Sequence, residues 1–131
     1  MAARYFLDET DISLARKLAA TIPSVVYPGH LELLEVPRGA LDDDWLPVIG
    51  RRALVVIAKD NRIRYRSAEK HLWIAFAVRG FVLTGKRSQS TQDSLNILQR
   101  WWHDIEATVS DRPVGPWMYS VTEERVREIR L

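Results

Sequence analysis

Cysteine is absent from the 131 residues. That excludes disulfides, thiolate zinc sites and cysteine nucleophiles, and it fits a reducing compartment. An excess of one charge is nearly absent too. With 19 basic against 17 acidic side chains the formal net charge is only +2, which excludes a uniformly basic nucleic-acid coat but allows a local basic patch. No apolar run approaches the roughly 20 residues that span a membrane. The opening MAARYFLDET meets acid at Asp8 without a long apolar core, so no signal peptide is expected there and a cytoplasmic location is. The three histidines, His30, His71 and His103, lack ligand-like spacing. What is present is a chain that is 47% apolar, globular in composition and long enough for one core. One domain over residues 1–131 is the expectation, with no internal repeat or low-complexity tract.

The chain is organised around residues 53–66, ALVVIAKDNRIRYR. Unbroken apolar character from Leu54 to Ala58 predicts a strand buried on both faces, as in the middle of a parallel sheet. Other strands are expected at 4–8, 24–27, 81–84 and 117–121, the last with a hairpin partner or a short helix after it. Helices are expected at about 12–22, capped by Thr10 or Asp11, and at about 92–109, where Leu95, Leu98, Trp102, Ile105 and Val109 form one face. A helix from Asp42 to about Arg52 carries Pro47, and one from Ser67 through Val78 is apolar over most of its surface, with Gly80 as its stop. The alternation predicts an α/β fold of three layers, Rossmann-like, with a mainly parallel central sheet.

In such a sheet ligands bind beyond the carboxyl ends of the strands, and right-handed crossovers bring the ends of strands one, three and four to one edge. That edge would carry Asp8, Glu9 and Asp60, with Asp42, Asp43 and Asp44 from a helix start. Each acid also has a purely structural role open to it, as a loop residue, a turn cap or a helix cap. Gathered together, carboxylates repel one another unless a cation neutralises them. An all-oxygen site suits Mg²⁺ or Mn²⁺, ions that activate water and stabilise a leaving oxygen in phosphodiester hydrolysis. Arg62, Arg64 and Arg66, at alternate positions after Asp60, suit a phosphate-bearing ligand.

Three segments carry a family likeness: Phe6-Leu7-Asp8-Glu9, then Gly39-Ala40-Leu41-Asp42-Asp43-Asp44-Trp45-Leu46, then Val55-Val56-Ile57-Ala58-Lys59-Asp60-Asn61-Arg62-Ile63-Arg64. In this order and spacing, and on through Phe81-Val82-Leu83-Thr84 and Gly115-Pro116-Trp117, the chain resembles PIN-like domains of the VapC toxin type. The resemblance implies a PIN-like fold and a metal-dependent endoribonuclease, the toxin of a toxin–antitoxin pair, with an antitoxin protein as partner. By position Asp8, Asp42 and Asp60 match the family's catalytic, metal-binding acids. Glu9 matches an acid beside the first, and Asp43 or Asp44 could stand in for Asp42, so the implied metal set is Asp8, Glu9, Asp42, Asp44 and Asp60, holding Mg²⁺ or Mn²⁺. Lys59, Arg62, Arg64, Arg66, Lys86 and Arg87, with Arg51 and Arg52, are the basic set for RNA. Two departures stand out: Ala58 replaces the usual hydroxyl residue before Lys-Asp, and no fourth acid follows Thr84.

A catalytically silent PIN-like module that binds RNA or an antitoxin is the first alternative. A phosphotransfer receiver domain, with Asp60 as acceptor and Asp8-Glu9, Thr84 and Lys86 around it, is the second. The apolar run 72–78 and the Trp101/Trp102 pair predict a homodimer or an antitoxin complex.

Overall fold

The computed structural model describes residues 2–59, 67–85 and 89–131. Asp60, Arg62, Arg64, Arg66, Lys86 and Arg87 therefore lie outside the described residues. Strands β1 (Tyr5–Leu7), β2 (Val25–Val26), β3 (Val55–Ala58), β4 (Arg79–Leu83), β5 (Trp117–Val121) and β6 (Val126–Ile129) form one sheet in the order β2-β1-β3-β4-β5-β6. All pairs are parallel except the closing β5–β6 hairpin. Between the strands run helices α1 (Ile12–Thr21), α2 (Asp42–Arg51), α3 (Ser67–Ala75) and α4 (Thr91–Asp111).

Every residue of β1 and β3 is buried because each face of the sheet has its own helical cover. Tyr5, Leu7, Val55, Ile57, Phe81 and Leu83 point into a core with α1 and α4. Phe6, Val56, Ala58 and Val82 alternate into a second core with Trp45 and Ile49 of α2 and Trp73 of α3. This is the expected three-layer α/β fold, and it explains why the central strand shows no polar alternation. The expected strand at 24–27 contracts to Val25 and Val26, the residues that pair with Tyr5 and Phe6. Pro28 and Gly29, the latter at φ +87°, turn the chain away immediately.

Gly80 does not end a helix; it lies inside β4. A Cβ there would come within 2.7 Å of the Val56 carbonyl oxygen and 2.8 Å of the Trp73 ring, so glycine is the residue that lets α3 settle on the sheet. The helix stop is Ala77, at φ +51°, where the Val78 N–H reaches back to the Trp73 carbonyl. α2 ends in the same way: Ala53 takes φ +54° and the Leu54 N–H returns to Ile49. Both turns follow the Schellman pattern with alanine in glycine's usual place. A left-handed alanine costs about 1–2 kcal/mol, which hides such stops from a reading based on glycine. Each delivers the chain directly into a buried strand.

The apolar run 72–78 is largely absorbed within the chain. Trp73 and Val78 are buried and Leu72 and Phe76 pack against the second core, leaving Ile74 as the large exposed apolar side chain of α3. Trp101 is half-buried, with its indole N–H donating to the Thr122 carbonyl at 2.8 Å, and so ties α4 to the β5–β6 turn. Tyr5 is held under α4 at the other end of the sheet. Burial, assisted by the Glu106 carboxylate that accepts its hydrogen bond, pushes its hydroxyl up to about 12.

Candidate acid cleft at the carboxyl edge

β1 has β2 on one side and β3 on the other, and the helices that leave these strands, α1 and α3, cover opposite faces. That arrangement makes the carboxyl ends of β1 and β3 the topological switch point, where open α/β sheets bind ligands. A cleft of about 400 Å³ opens there, lined by Asp8, Glu9, Thr10, Ala40, Leu41, Asp42, Asp43, Trp45 and Glu69. Of the expected site residues described, the fold thus brings together Asp8, Glu9 and Asp42, with Asp43 beside them.

Each acid is placed by local structure. Asp8 leaves the end of β1 in extended conformation and precedes a single 3-10 turn, Glu9–Asp11; its Oδ2 accepts from the Thr10 hydroxyl at 2.8 Å. Asp42 opens α2, and its Oδ1 accepts from the buried Trp45 indole N–H at 3.1 Å. Glu9 spends both oxygens on the approach to α2: one accepts from Arg38 Nε at 3.0 Å and the other from the Gly39 N–H. Asp44 turns back to the Leu41 N–H at 3.2 Å, a helix-capping role, and is not among the cleft-lining residues.

Glu69 is the carboxylate that sequence reasoning missed. It lies in the first turn of α3 and is only 7% exposed, the one buried acid among the described residues. Its position could have been anticipated, because a helix that follows a parallel strand begins at the carboxyl edge and its first-turn acid faces the ligand side. The apolar character of the residues after it drew the helix toward a purely packing role. The cleft therefore has a carboxylate from α3 where none follows β4.

Lys59 is held at the same edge. Its ammonium donates to Asp11 Oδ2 at 3.0 Å and to the Gln89 carbonyl at 2.8 Å, and the Thr91 hydroxyl donates to the same carboxylate. Asp11 also caps α1 through the Leu14 N–H at 3.0 Å. Burial pushes the Asp11 carboxyl up, but the Leu14, Lys59 and Thr91 hydrogen bonds together outweigh it and hold its pKa below the usual carboxylate range. A lowered native pKa contributes stability above the unfolded value, about 3.9, and that contribution is lost as pH falls through the native one. Asp11→Asn should cost about 1–2 kcal/mol at neutral pH, since it breaks a charged hydrogen bond that is partly open to solvent. Below about pH 4 the difference from the parent chain should shrink. Urea denaturation at pH 7 and at pH 3 measures both, and an unchanging difference would show that the carboxylate's charge is not the source.

Arg51 and Arg52 are placed away from this edge. α2 starts at the cleft and runs ten residues to Arg51, about 15 Å at 1.5 Å per residue. Arg52 donates to the Glu32 carbonyl at 3.0 Å and pairs with Glu35, and Arg51 lies over the Phe76 ring.

The cleft is lined by five acidic residues and the hydroxyl residue Thr10, with no histidine, cysteine or methionine among the lining residues, a set whose chemistry fits Mg²⁺ or Mn²⁺. Among the described residues, no three His, Asp or Glu side chains converge tightly enough to hold an ion by themselves. Among the same residues no helix is long and apolar enough to cross a membrane.

No curated protein and no solved structure matches the chain. The family model described as PIN like domain matches residues 3–85, well over half of the sequence, from the start of β1 past the end of β4 and so including every residue that lines the cleft. PIN domains are generally nucleases and typically use divalent metals, and the receiver alternative is set aside by this match. With a mostly parallel sheet, an acid cleft at its switch point and a family match spanning both, the chain belongs to the PIN-like domain family.

Proposed function

We propose that the chain is a metal-dependent endoribonuclease of the VapC type, the toxin of a toxin–antitoxin pair. The observation that carries the reading is the cleft at the switch point, where Asp8, Asp42, Asp43 and Glu69 present carboxylates from three separate elements. Helix starts favour acids one at a time; what supports the reading is that acids from the end of β1, the start of α2 and the start of α3 line one cleft. Asp8 and Asp42 would hold Mg²⁺ or Mn²⁺ with Asp60, and Glu69 would supply a further carboxylate. The ion, when bound, supplies positive charge at the phosphodiester and a lowered pKa for the attacking water. The chain's own work is to hold the acids oriented. Trp45 fixes Asp42 by its indole hydrogen bond, and Thr10 fixes Asp8. Arg62, Arg64, Arg66, Lys86 and Arg87 would bind the RNA phosphates. An antitoxin protein, or a second copy of the chain, is the proposed protein partner.

The test is the purified protein on structured RNA with Mn²⁺, with EDTA, and with Asp60→Asn. Cleavage should require the metal and vanish in the variant. Metal-independent cleavage, or cleavage unchanged by Asp60→Asn, would overturn the mechanism. Metal binding without cleavage on many RNAs would favour the silent binding module.

A further inference from the structure

The four residues Asp8 to Asp11 perform four different tasks within one turn of chain. Asp8 faces the acid cleft. Glu9 binds Arg38 and Gly39, the approach to the helix that carries Asp42. Thr10 steadies Asp8. Asp11 turns the other way, caps α1 and receives Lys59 and Thr91. The 3-10 turn is thus fastened to α2's approach at one end and to β3 and α4 at the other. The Lys59–Asp11 pair is only partly open to solvent, with side chains 20% and 13% exposed, and Lys59 is fixed a second time by Gln89.

We propose that Lys59 and Asp11 are positioning residues for the acid cleft: their ion pair locks the 3-10 turn to the end of β3 and to the start of α4, and so sets where Asp8 stands and, through the bonds of Glu9 to Arg38 and Gly39, where the start of α2 places Asp42. Lys59 then acts through Asp11 on the cleft and is not itself an RNA contact, which replaces the phosphate-binding role expected from its sequence. The activity arm of the test rests on the ribonuclease reading; the structural arm does not.

The experiment compares Lys59→Gln, Asp11→Asn, the double variant and Lys59→Arg, at a temperature where circular dichroism shows each folded. The structural probe is the Trp45 indole N–H resonance, since that group bonds Asp42 inside the cleft. It should move in Lys59→Gln and Asp11→Asn, while the Trp73 and Trp117 indole signals, whose acceptors are the Trp117 and Arg112 carbonyls, stay in place. Mn²⁺-dependent single-turnover cleavage should fall about tenfold or more, the scale of a small misplacement of reacting groups. RNA affinity in EDTA should stay within about twofold, with an unchanged salt dependence. The double variant should be no worse than either single one, and Lys59→Arg should recover much of the rate.

A Trp45 resonance that does not move would overturn the proposal. So would losses that multiply in the double variant, or a fall in RNA affinity with the salt slope reduced by about one, the mark of a direct phosphate contact. Should the parent chain cleave no RNA at all, the ribonuclease reading fails by itself and the Trp45 signal still decides the positioning role.

Discussion

Replacing Asp8 by asparagine is expected to leave the fold in place and to remove Mn²⁺-dependent RNA cleavage. Asparagine has the shape of aspartate and keeps an oxygen for the Thr10 hydroxyl, so the turn after β1 retains its local hydrogen bond. The charge is what disappears. In the proposed mechanism that charge helps hold a divalent ion whose stabilisation of the transition state is worth several kcal/mol. A loss of about 3 kcal/mol is roughly a hundredfold in rate. Stability should respond in the opposite direction. Asp8 shares a cleft of about 400 Å³ with Asp42, Asp43 and Glu69, and removing one of several neighbouring negative charges relieves repulsion. Without metal the variant should therefore unfold at the same urea concentration or a higher one, and the increment that Mn²⁺ gives the parent chain should shrink. Single-turnover cleavage and urea titrations with and without Mn²⁺ measure the two effects. Cleavage within tenfold of the parent would remove Asp8 from the catalytic set.

Trp73→Ala should cost about 3–5 kcal/mol, the range for truncating a buried aromatic side chain. Trp73 is fully buried in the last turn of α3. Its indole N–H donates to the Trp117 carbonyl at 3.0 Å, and its ring covers Gly80 so closely that a Cβ there would meet ring carbons at 2.8 and 2.9 Å. The truncation removes a large buried volume, and the Trp117 carbonyl loses its side-chain donor. Domains of this size hold about 5–15 kcal/mol in all, so the variant should unfold at a much lower urea concentration. Ile74→Ala, one residue on, is the comparison. Ile74 is 48% exposed and its truncation should cost under about 1 kcal/mol. Equal losses at the two positions would contradict the packing of α3 described above.

The two substitutions also separate what patterning can reveal from what it cannot. Strand β3 was legible because a run of five apolar residues that must be covered on both sides has few other solutions, and α4 because its apolar stripe keeps helical spacing from Leu95 to Val109. After β5 the sequence points to a hairpin partner with a short helix as the alternative, and the pairing of Met118 with Ile129 and Val121 with Val126 establishes the hairpin. The end of α2 falls at about Arg52, where the sequence places it, but that of α3 comes at Ala75 rather than Val78. Ala53 and Ala77 take a left-handed conformation that alanine disfavours by itself, and they are held there by strands that lie next to one another only after folding.

The acids divide along the same line. Apolar runs that end in acid, Leu7 before Asp8 and Ala58 before Lys59-Asp60, mark the carboxyl edge of a parallel sheet in the sequence alone, because strand direction and crossover handedness allow little else. Which carboxylates face the cleft is a matter of long-range contact. Glu9 is adjacent to Asp8 in sequence yet spends its oxygens on Arg38 and Gly39; Glu69 is remote in sequence yet lines the same cleft; Lys59 meets Asp11 and Gln89 across the sheet edge. The sequence by itself determined the α/β class, the buried central strand and the edge at which acids collect, since these follow from local periodicity and the chirality of the chain. Only the tertiary structure decided which acids share the cleft and which serve as struts, because a carboxylate's role depends on the donors that folding brings within about 3 Å of it.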